Sequence, residues 1–292
     1  MQPTSHEPVR YVLTLAVASA RGQVAALVAL LERHEAYIEE FAVFDDALVS
    51  RFYIRIVFRL EADKAAGIGA LREAYAALIA GFEASEGAIH ELSRPTRVMI
   101  MVSKADHCLR DLLAQWRRKE LNMDIVAVVS NHADLGPLAV AEGLPFHHLP
   151  ITPETKPQQE AQLLACIEQY GAELVVLARY MQVLSEGMCA RLAGRVINIH
   201  HSFLPGFKGA RPYEQAHARG VKLIGATAHF ATSDLDEGPI IEQALERVDH
   251  AYSPEQLLST GRSVECLALG RALRYVLEHR VFINGLRTVV LR

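Results

Sequence analysis

From Arg97 onward the chain alternates continuous apolar runs with helical periodicity, and that alternation leaves few folds open. RVMIMVS (97–103), DIVAVVS (124–130) and ELVVLA (173–178) are runs of apolar and β-branched residues with little polar alternation, the pattern of strands buried on both faces. Helix-patterned segments occupy 108–119, 135–142 and 156–170, and a short FHHLP edge falls at 146–150. RVINIH (195–200) extends the series, and LIGATAHFAT (223–232) and PIIEQALERV (239–248) follow as strand-like segments. A long helix at about 253–280 and FINGLRTVVL (282–291), a strand or extension, end the chain. This order predicts an α/β, Rossmann-like unit with a mostly parallel sheet.

A different rhythm precedes it. VRYVLTLAVA (9–18) reads as a strand, VAALVALLERHEAYI after Gly22 as a helix, IEEFAVFD (38–45) and SRFYIRIVFRL (50–60) as strands, about 63–82 as a second helix, and AIHEL (88–92) as a closing strand. The order is βαββαβ, a ferredoxin-like small domain. Ser93-Arg94-Pro95-Thr96 is the expected linker, its proline discouraging a continuing helix. The expected division is therefore 1–92, a linker at 93–96, and 97–292.

A chain of 292 residues with 51% hydrophobic content can bury one large core or two unequal ones. Its net charge of −4 and lack of a basic block argue against nucleic acid as the principal partner. Cys108, Cys166, Cys189 and Cys266 form no CxxC pair, so neither a zinc knuckle nor a disulfide framework is expected and a reduced, cytoplasmic setting fits. The run YVLTLAV with Ala18, Ser19 and Ala20 could be read as a signal peptide, but Glu7 and His6 make a poor basic leader. No run approaches a membrane span.

The chemistry concentrates in Val196–Gln243. Asn198 and His200 flank Ile199, so on a strand their side chains share one face. The Pro- and Gly-rich LPGFKGARP that follows suits the wall of a cleft. His229 lies in the apolar ATAHFAT, where a satisfied or supporting histidine is the ordinary reading, and Asp234, Asp236 and Glu237 form an acidic loop ending in Gly238-Pro239. The acids could bind a metal, but no further cluster has ligand spacing, so no metal is expected. An amide, an imidazole and a carboxylate together can polarise an acyl oxygen, carry a proton and orient water. Strand carboxyl ends are where an open α/β sheet binds ligands.

Two resemblances sharpen this reading. The N-terminal βαββαβ segment resembles the ACT domain, an amino-acid-binding and oligomerising module. Its usual Asp-Arg-Pro-Gly loop is replaced by Ser19-Ala20-Arg21-Gly22-Gln23, which makes Arg21 and Gly22 the candidate effector loop and leaves a purely structural role as the alternative. A homo-oligomer, dimer or tetramer, is implied. Residues 196–243 resemble the formyl-folate enzymes, which comprise the glycinamide ribonucleotide and methionyl-tRNA formyltransferases and the formyltetrahydrofolate deformylases. The family's Asn-x-His and downstream Asp fall on Asn198, His200 and Asp236, with its further histidine at His229.

Within that family three features point to the deformylase branch. The transferases' glycine-rich phosphate loop is replaced by Ser103-Lys104-Ala105-Asp106-His107-Cys108-Leu109, with no glycine to approach a phosphate and an Asp to repel one. His201 stands where the transferases have Pro, beside a deformylase-like LARYMQVLS (177–185), and a small domain precedes the catalytic half. The resemblance implies hydrolysis of 10-formyltetrahydrofolate to tetrahydrofolate and formate, with folate and water as partners, no cofactor, and a link to one-carbon balance and purine biosynthesis. It places the folate pocket at Leu177, Arg179, Tyr180, Met181, Val183, Leu235 and Glu237. Asp236 would position water or imidazole, and would need a raised pKa to serve as base itself. A transferase acting on an unphosphorylated amine, and a non-catalytic folate- or amino-acid-binding protein, are the alternatives.

Overall fold

The computed structural model describes residues 8–61, 67–205 and 212–292. The expected cleft wall at Gly206–Arg211, the start of the helix expected at 63, and His6 and Glu7 of the leader reading lie outside the described residues.

Two compact units form, one comprising Met1–Pro95, Glu278–Phe282 and Val289–Arg292, the other Thr96–Leu277 and Ile283–Thr288. The first contains β1 (Val9–Ala18), α1 (Gln23–Arg33), β2 (Tyr37–Asp46), β3 (Arg51–Leu60), α2 (Ile68–Ala80) and β4 (Glu86–Glu91). Its antiparallel sheet runs β2-β3-β1-β4, the ferredoxin-like order expected. Alternate residues Tyr11, Leu13, Leu15 and Val17 of β1 pack with Ile54, Ile56 and Phe58 of β3 against Leu27, Leu30 and Leu31 of α1, the strand and helix periods meeting on one face.

The opposite face is covered as well, so β3 is buried on both sides from Tyr53 to Phe58. Ala16 and Tyr53 pack there with Leu291, flanked by Phe282 and Val289, and buried Arg55 donates to the Glu278 carbonyl at 3.1 Å and to Glu40 Oε2 at 2.7 Å. This packing assigns the two C-terminal segments to the first unit, where the expected division ran the second domain to 292. The terminal segment itself is a hairpin, β12 (Val281–Asn284) and β13 (Arg287–Val290), turning at Gly285 with φ +62°.

The second unit holds β5 (Thr96–Val102), α3 (His107–Arg117), β6 (Met123–Ser130), α4 (Gly136–Ala141), β7 (Phe146–His148), α5 (Lys156–Gln169) and β8 (Leu174–Leu177). It continues with α6 (Glu186–Arg191), β9 (Val196–His200), α7 (Pro212–Arg219), β10 (Leu223–Phe230), β11 (Ile240–Arg247) and α8 (Pro254–Leu277). The sheet order is β11-β10-β9-β8-β5-β6-β7. Strands β5 to β9 pair in parallel, whereas β10 is antiparallel to both β9 and β11. The short helices α6 and α7 add to the expected set, and Ser185 caps α6 by accepting the Met188 amide. Among the described residues no helix is long and apolar enough to cross a membrane.

Candidate active site

The antiparallel turn from β9 to β10 builds the site. Its register sets Thr227 opposite His200 and His229 opposite Asn198, so cross-strand partners project on the same face. Thr227 is the anchor: its hydroxyl donates to Ser202 O at 2.9 Å and accepts from Leu204 N at 3.0 Å and Gln243 Nε2 at 3.0 Å. A register shift between β10 and β11 falls at Ala228/His229, and such irregularities re-aim side chains beside functional sites.

His229 is fixed by both ring nitrogens. Nδ1 lies 2.9 Å from Phe230 O, which can only accept, so Nδ1 carries a proton and Nε2 accepts from Asn198 Nδ2 at 3.1 Å. That contact sets the Asn198 flip and leaves its second amide hydrogen free to donate. His200 has Nδ1 3.2 Å from Asp236 Oδ1 and Nε2 2.9 Å from Ser202 Oγ.

Asp236 returns to these rings from the loop after β10 with φ +58°, a left-handed conformation that Asp tolerates better than most residues. Gly238 makes the return possible, since a Cβ there would lie 1.8 Å from Phe230 O. The Asp236 carboxyl is held well below the usual range first by His200, whose Nδ1 is 3.2 Å away, and then by the His229 ring, whose Nε2 is 3.7 Å away, and together they outweigh its burial. The sequence reading required a raised pKa for Asp236 to act as base. The shift runs the other way because two imidazoles face it, so the carboxylate stays ionised and orients.

Asn198, His200, His229 and Asp236 line a cavity of about 730 Å³ together with His201, Leu177, Arg179, Tyr180, Met181, Val183 and Leu235. Glu237, also expected in the pocket, is exposed and absent from this lining; its amide donates to Asp234 O in the loop. The rim is apolar and open: Met181 is 58% exposed and Leu235 62%, a surface that a flat ligand would cover. Ser103, at the expected loop after β5, donates to Asn131 Oδ1 at 2.6 Å and accepts the Met181 amide at 3.0 Å. That hydroxyl therefore joins three strand ends.

His201 is pushed down to about 4, first by burial and then by the charges of Arg179 and His200, so its ring is neutral at physiological pH. Lining residues on two helices escaped the sequence reading, Tyr213 and Glu214 of α7 and Pro254, Glu255 and Leu258 of α8. Behind Tyr213 lies Glu265 of α8, 1% exposed and bonded to Tyr213 and His107. Burial is the largest influence on Glu265, yet His107, Arg179 and Tyr213 together hold its carboxyl below the usual range. The acid inside the apolar run VECLALG (264–270) was the available signal. Atoms of His107, Cys108 and Glu265 lie within 4.8 Å of one another, close enough for a metal, but the Arg179 guanidinium 3.4 Å from Glu265 already supplies positive charge there.

In the first unit, Arg21 and Gly22 are exposed at the start of α1, Gly22 with φ +86°. Gln23 satisfies the turn itself, donating to Ala18 O at 2.8 Å and accepting from Ala20 N at 3.2 Å.

A cavity closed by a sheet-borne amide, two imidazoles and an ionised carboxylate, in a domain of this topology, defines an acyl-group enzyme of the formyl transferase type. Residues 96–273 match the family profile described as Formyl transferase. Over whole chains the similarity is narrower. The formyltetrahydrofolate deformylase of Corynebacterium sp. (strain P-1) is 49% identical over 98% of this chain and 99% of its own. The crystal structure of the formyltetrahydrofolate deformylase from Burkholderia mallei superposes with a TM-score of 0.93 at 60% identity, over 98% of this chain and 100% of that one. That from Pseudomonas putida KT2440 gives 0.92 at 48%, over 97% and 100%. The chain belongs to the formyltetrahydrofolate deformylase family.

Proposed function

We propose that this protein hydrolyses 10-formyltetrahydrofolate to tetrahydrofolate and formate. The observation that carries the reading is the single cavity in which Asn198, His200 and Asp236 meet an exposed apolar rim. Asn198 donates its second amide hydrogen to the formyl oxygen as it becomes an oxyanion, a contact worth about 10²–10³ in rate for one donor in other enzymes. Asp236 holds His200 with its proton on Nδ1, leaving Nε2 as the base. Ser202 Oγ yields that nitrogen to the attacking water. The water oxygen bonds to the formyl carbon, its proton passes to His200, and the carbon–N10 bond breaks as the imidazolium returns the proton to N10. Formate leaves with the oxygen of water. The folate is the substrate, so no cofactor enters this scheme.

Leu177, Arg179, Tyr180, Met181, Val183 and Leu235 are the proposed folate contacts. The formate released would feed one-carbon metabolism, including purine biosynthesis, in the cytoplasm, a setting suited to four free cysteines. We propose a homo-oligomer as well: β2 is an edge strand with Tyr37, Phe41, Val43 and Phe44 exposed, a surface that isolated subunits rarely leave bare. The Arg21–Gly22 turn is the proposed place for an amino-acid effector.

The test is formate release from 10-formyltetrahydrofolate, with and without added amines, and with candidate amino acids added singly. Stoichiometric formate in the absence of any amine is expected. A formylated amine in place of formate would make the protein a transferase, and folate binding without turnover a binding protein.

A further inference from the structure

The buried carboxylate of Glu265 takes no part in the scheme above, yet three segments of the second unit converge on it. The Tyr213 hydroxyl donates to Oε1 at 2.7 Å, His107 Nε2 lies 2.7 Å from Oε2, and Arg179 Nε lies 3.4 Å from the same oxygen. A carboxylate this deep is strongly destabilising unless its partners compensate it, so the grouping is not an incidental contact. The backbone is shaped to permit it. At Gly261 of α8 a Cβ would lie 2.1 Å from the Tyr213 ring, and Arg179 sits in the left-handed region at φ +66°. Conformations of that kind persist only where the surroundings over-determine them.

Tyr213 and Arg179 line the cavity, whereas Glu265 and His107 do not. With its Nε turned toward Glu265, Arg179 has no other ion pair or hydrogen bond among the described residues. We propose that Glu265 is a positioning residue of the formyl-folate site. It fixes Tyr213 and Arg179 on the cavity wall and leaves the Arg179 terminal nitrogens as preset donors for an anionic or carbonyl oxygen of the folate. His107 buttresses the carboxylate from α3. The proposal rests on the folate reading above.

The experiment compares the full-length wild type with Glu265→Gln, Arg179→Ala and the double variant. Tetrahydrofolate affinity by titration, kcat and KM for formate release, and thermal midpoint are measured for each. Glu265→Gln is expected to raise Kd and KM about tenfold while kcat changes less than threefold, the signature of lost uniform binding. In the Arg179→Ala background the same change should cost nothing further, because coupled residues are non-additive. Penalties that multiply, or a Glu265→Gln enzyme with unchanged Kd, would overturn the proposal. If Glu265→Gln does not fold, Tyr213→Phe and His107→Asn replace it. Each should weaken tetrahydrofolate binding severalfold in the wild type and not in Arg179→Ala, and persistence there counts against the role. A wild type that binds tetrahydrofolate but releases no formate defeats the hydrolytic reading alone, and the affinity cycle still decides the positioning role.

Discussion

Asn198 and His229 face each other across the β9–β10 ladder, and the amide of one donates to Nε2 of the other at 3.1 Å. The amide proposed to stabilise the oxyanion is thus oriented by a histidine that is itself held by Phe230 O. The two histidines therefore differ in role. In the proposed scheme His229 aims Asn198, and His200 carries the proton.

His229→Phe should accordingly impair turnover more than binding. Formate release is expected to fall about 10- to 100-fold in kcat, less than the ~10²–10³ lost when an oxyanion donor is removed outright. Tetrahydrofolate affinity should stay within about threefold. Asn198→Ala should show the larger loss, and the two changes combined should cost little more than Asn198→Ala alone.

Asp236→Asn removes the charge that holds His200 in its tautomer. A kcat loss approaching ~10⁴ is expected, the size seen when an orienting carboxylate is lost beside a catalytic imidazole. Because the Asp236 carboxyl is already well below the usual range, it stays ionised across ordinary assay pH. The wild-type pH–rate profile should then show no acid limb from a carboxylate of raised pKa, and an acid limb that persisted in His200→Asn but vanished in Asp236→Asn would return the base role to Asp236.

Gly238→Ala places a Cβ 1.8 Å from Phe230 O, so the loop must move and carry Asp236 with it. Activity should drop by at least about tenfold, because misplacement near 1 Å can cost two orders of magnitude in a positioned site. Rates and thermal midpoints of this variant and Gly220→Ala, a glycine with open space around its Cβ position, would separate a displaced carboxylate from general strain.

His201 supplies a pH-dependent stability term. Its pKa is about 4 in the folded chain against an ordinary value near 6.5, so the unfolded chain binds the proton first as pH falls. The contribution of the neutral, half-buried ring is complete above about pH 6.5 and is lost progressively toward pH 4. Between pH 7 and 5 the wild type should lose about 2 kcal/mol more than His201→Asn in urea unfolding. Asp236 does not contribute in that window, since its depressed pKa stabilises above the ordinary carboxylate value and is lost only below it.

Much of the layout was legible because its signals are local. Continuous apolar runs marked β5, β6 and β8, and the pair Asn198 and His200 around Ile199 marked a shared strand face whatever the neighbours were. The glycine-free Ser103–Leu109 could be read for what it lacks. The C-terminal segment was harder, because Phe282, Val289 and Leu291 look like any short strand until Tyr53 is found beneath them.

By itself the sequence determined the two sheet patterns, the order of their strands along the chain, and the identity of the amide, imidazole and carboxylate. Those depend on periodicity and residue type over a few positions. Only the tertiary structure decided that β10 runs antiparallel, that His229 therefore meets Asn198, that Asp236 is held ionised, and that Glu265 lies behind Arg179 and Tyr213. Asn198 and His229 are 31 positions apart and Arg179 and Glu265 are 86 apart, and the energies of such relations depend on burial and register, which no local pattern encodes.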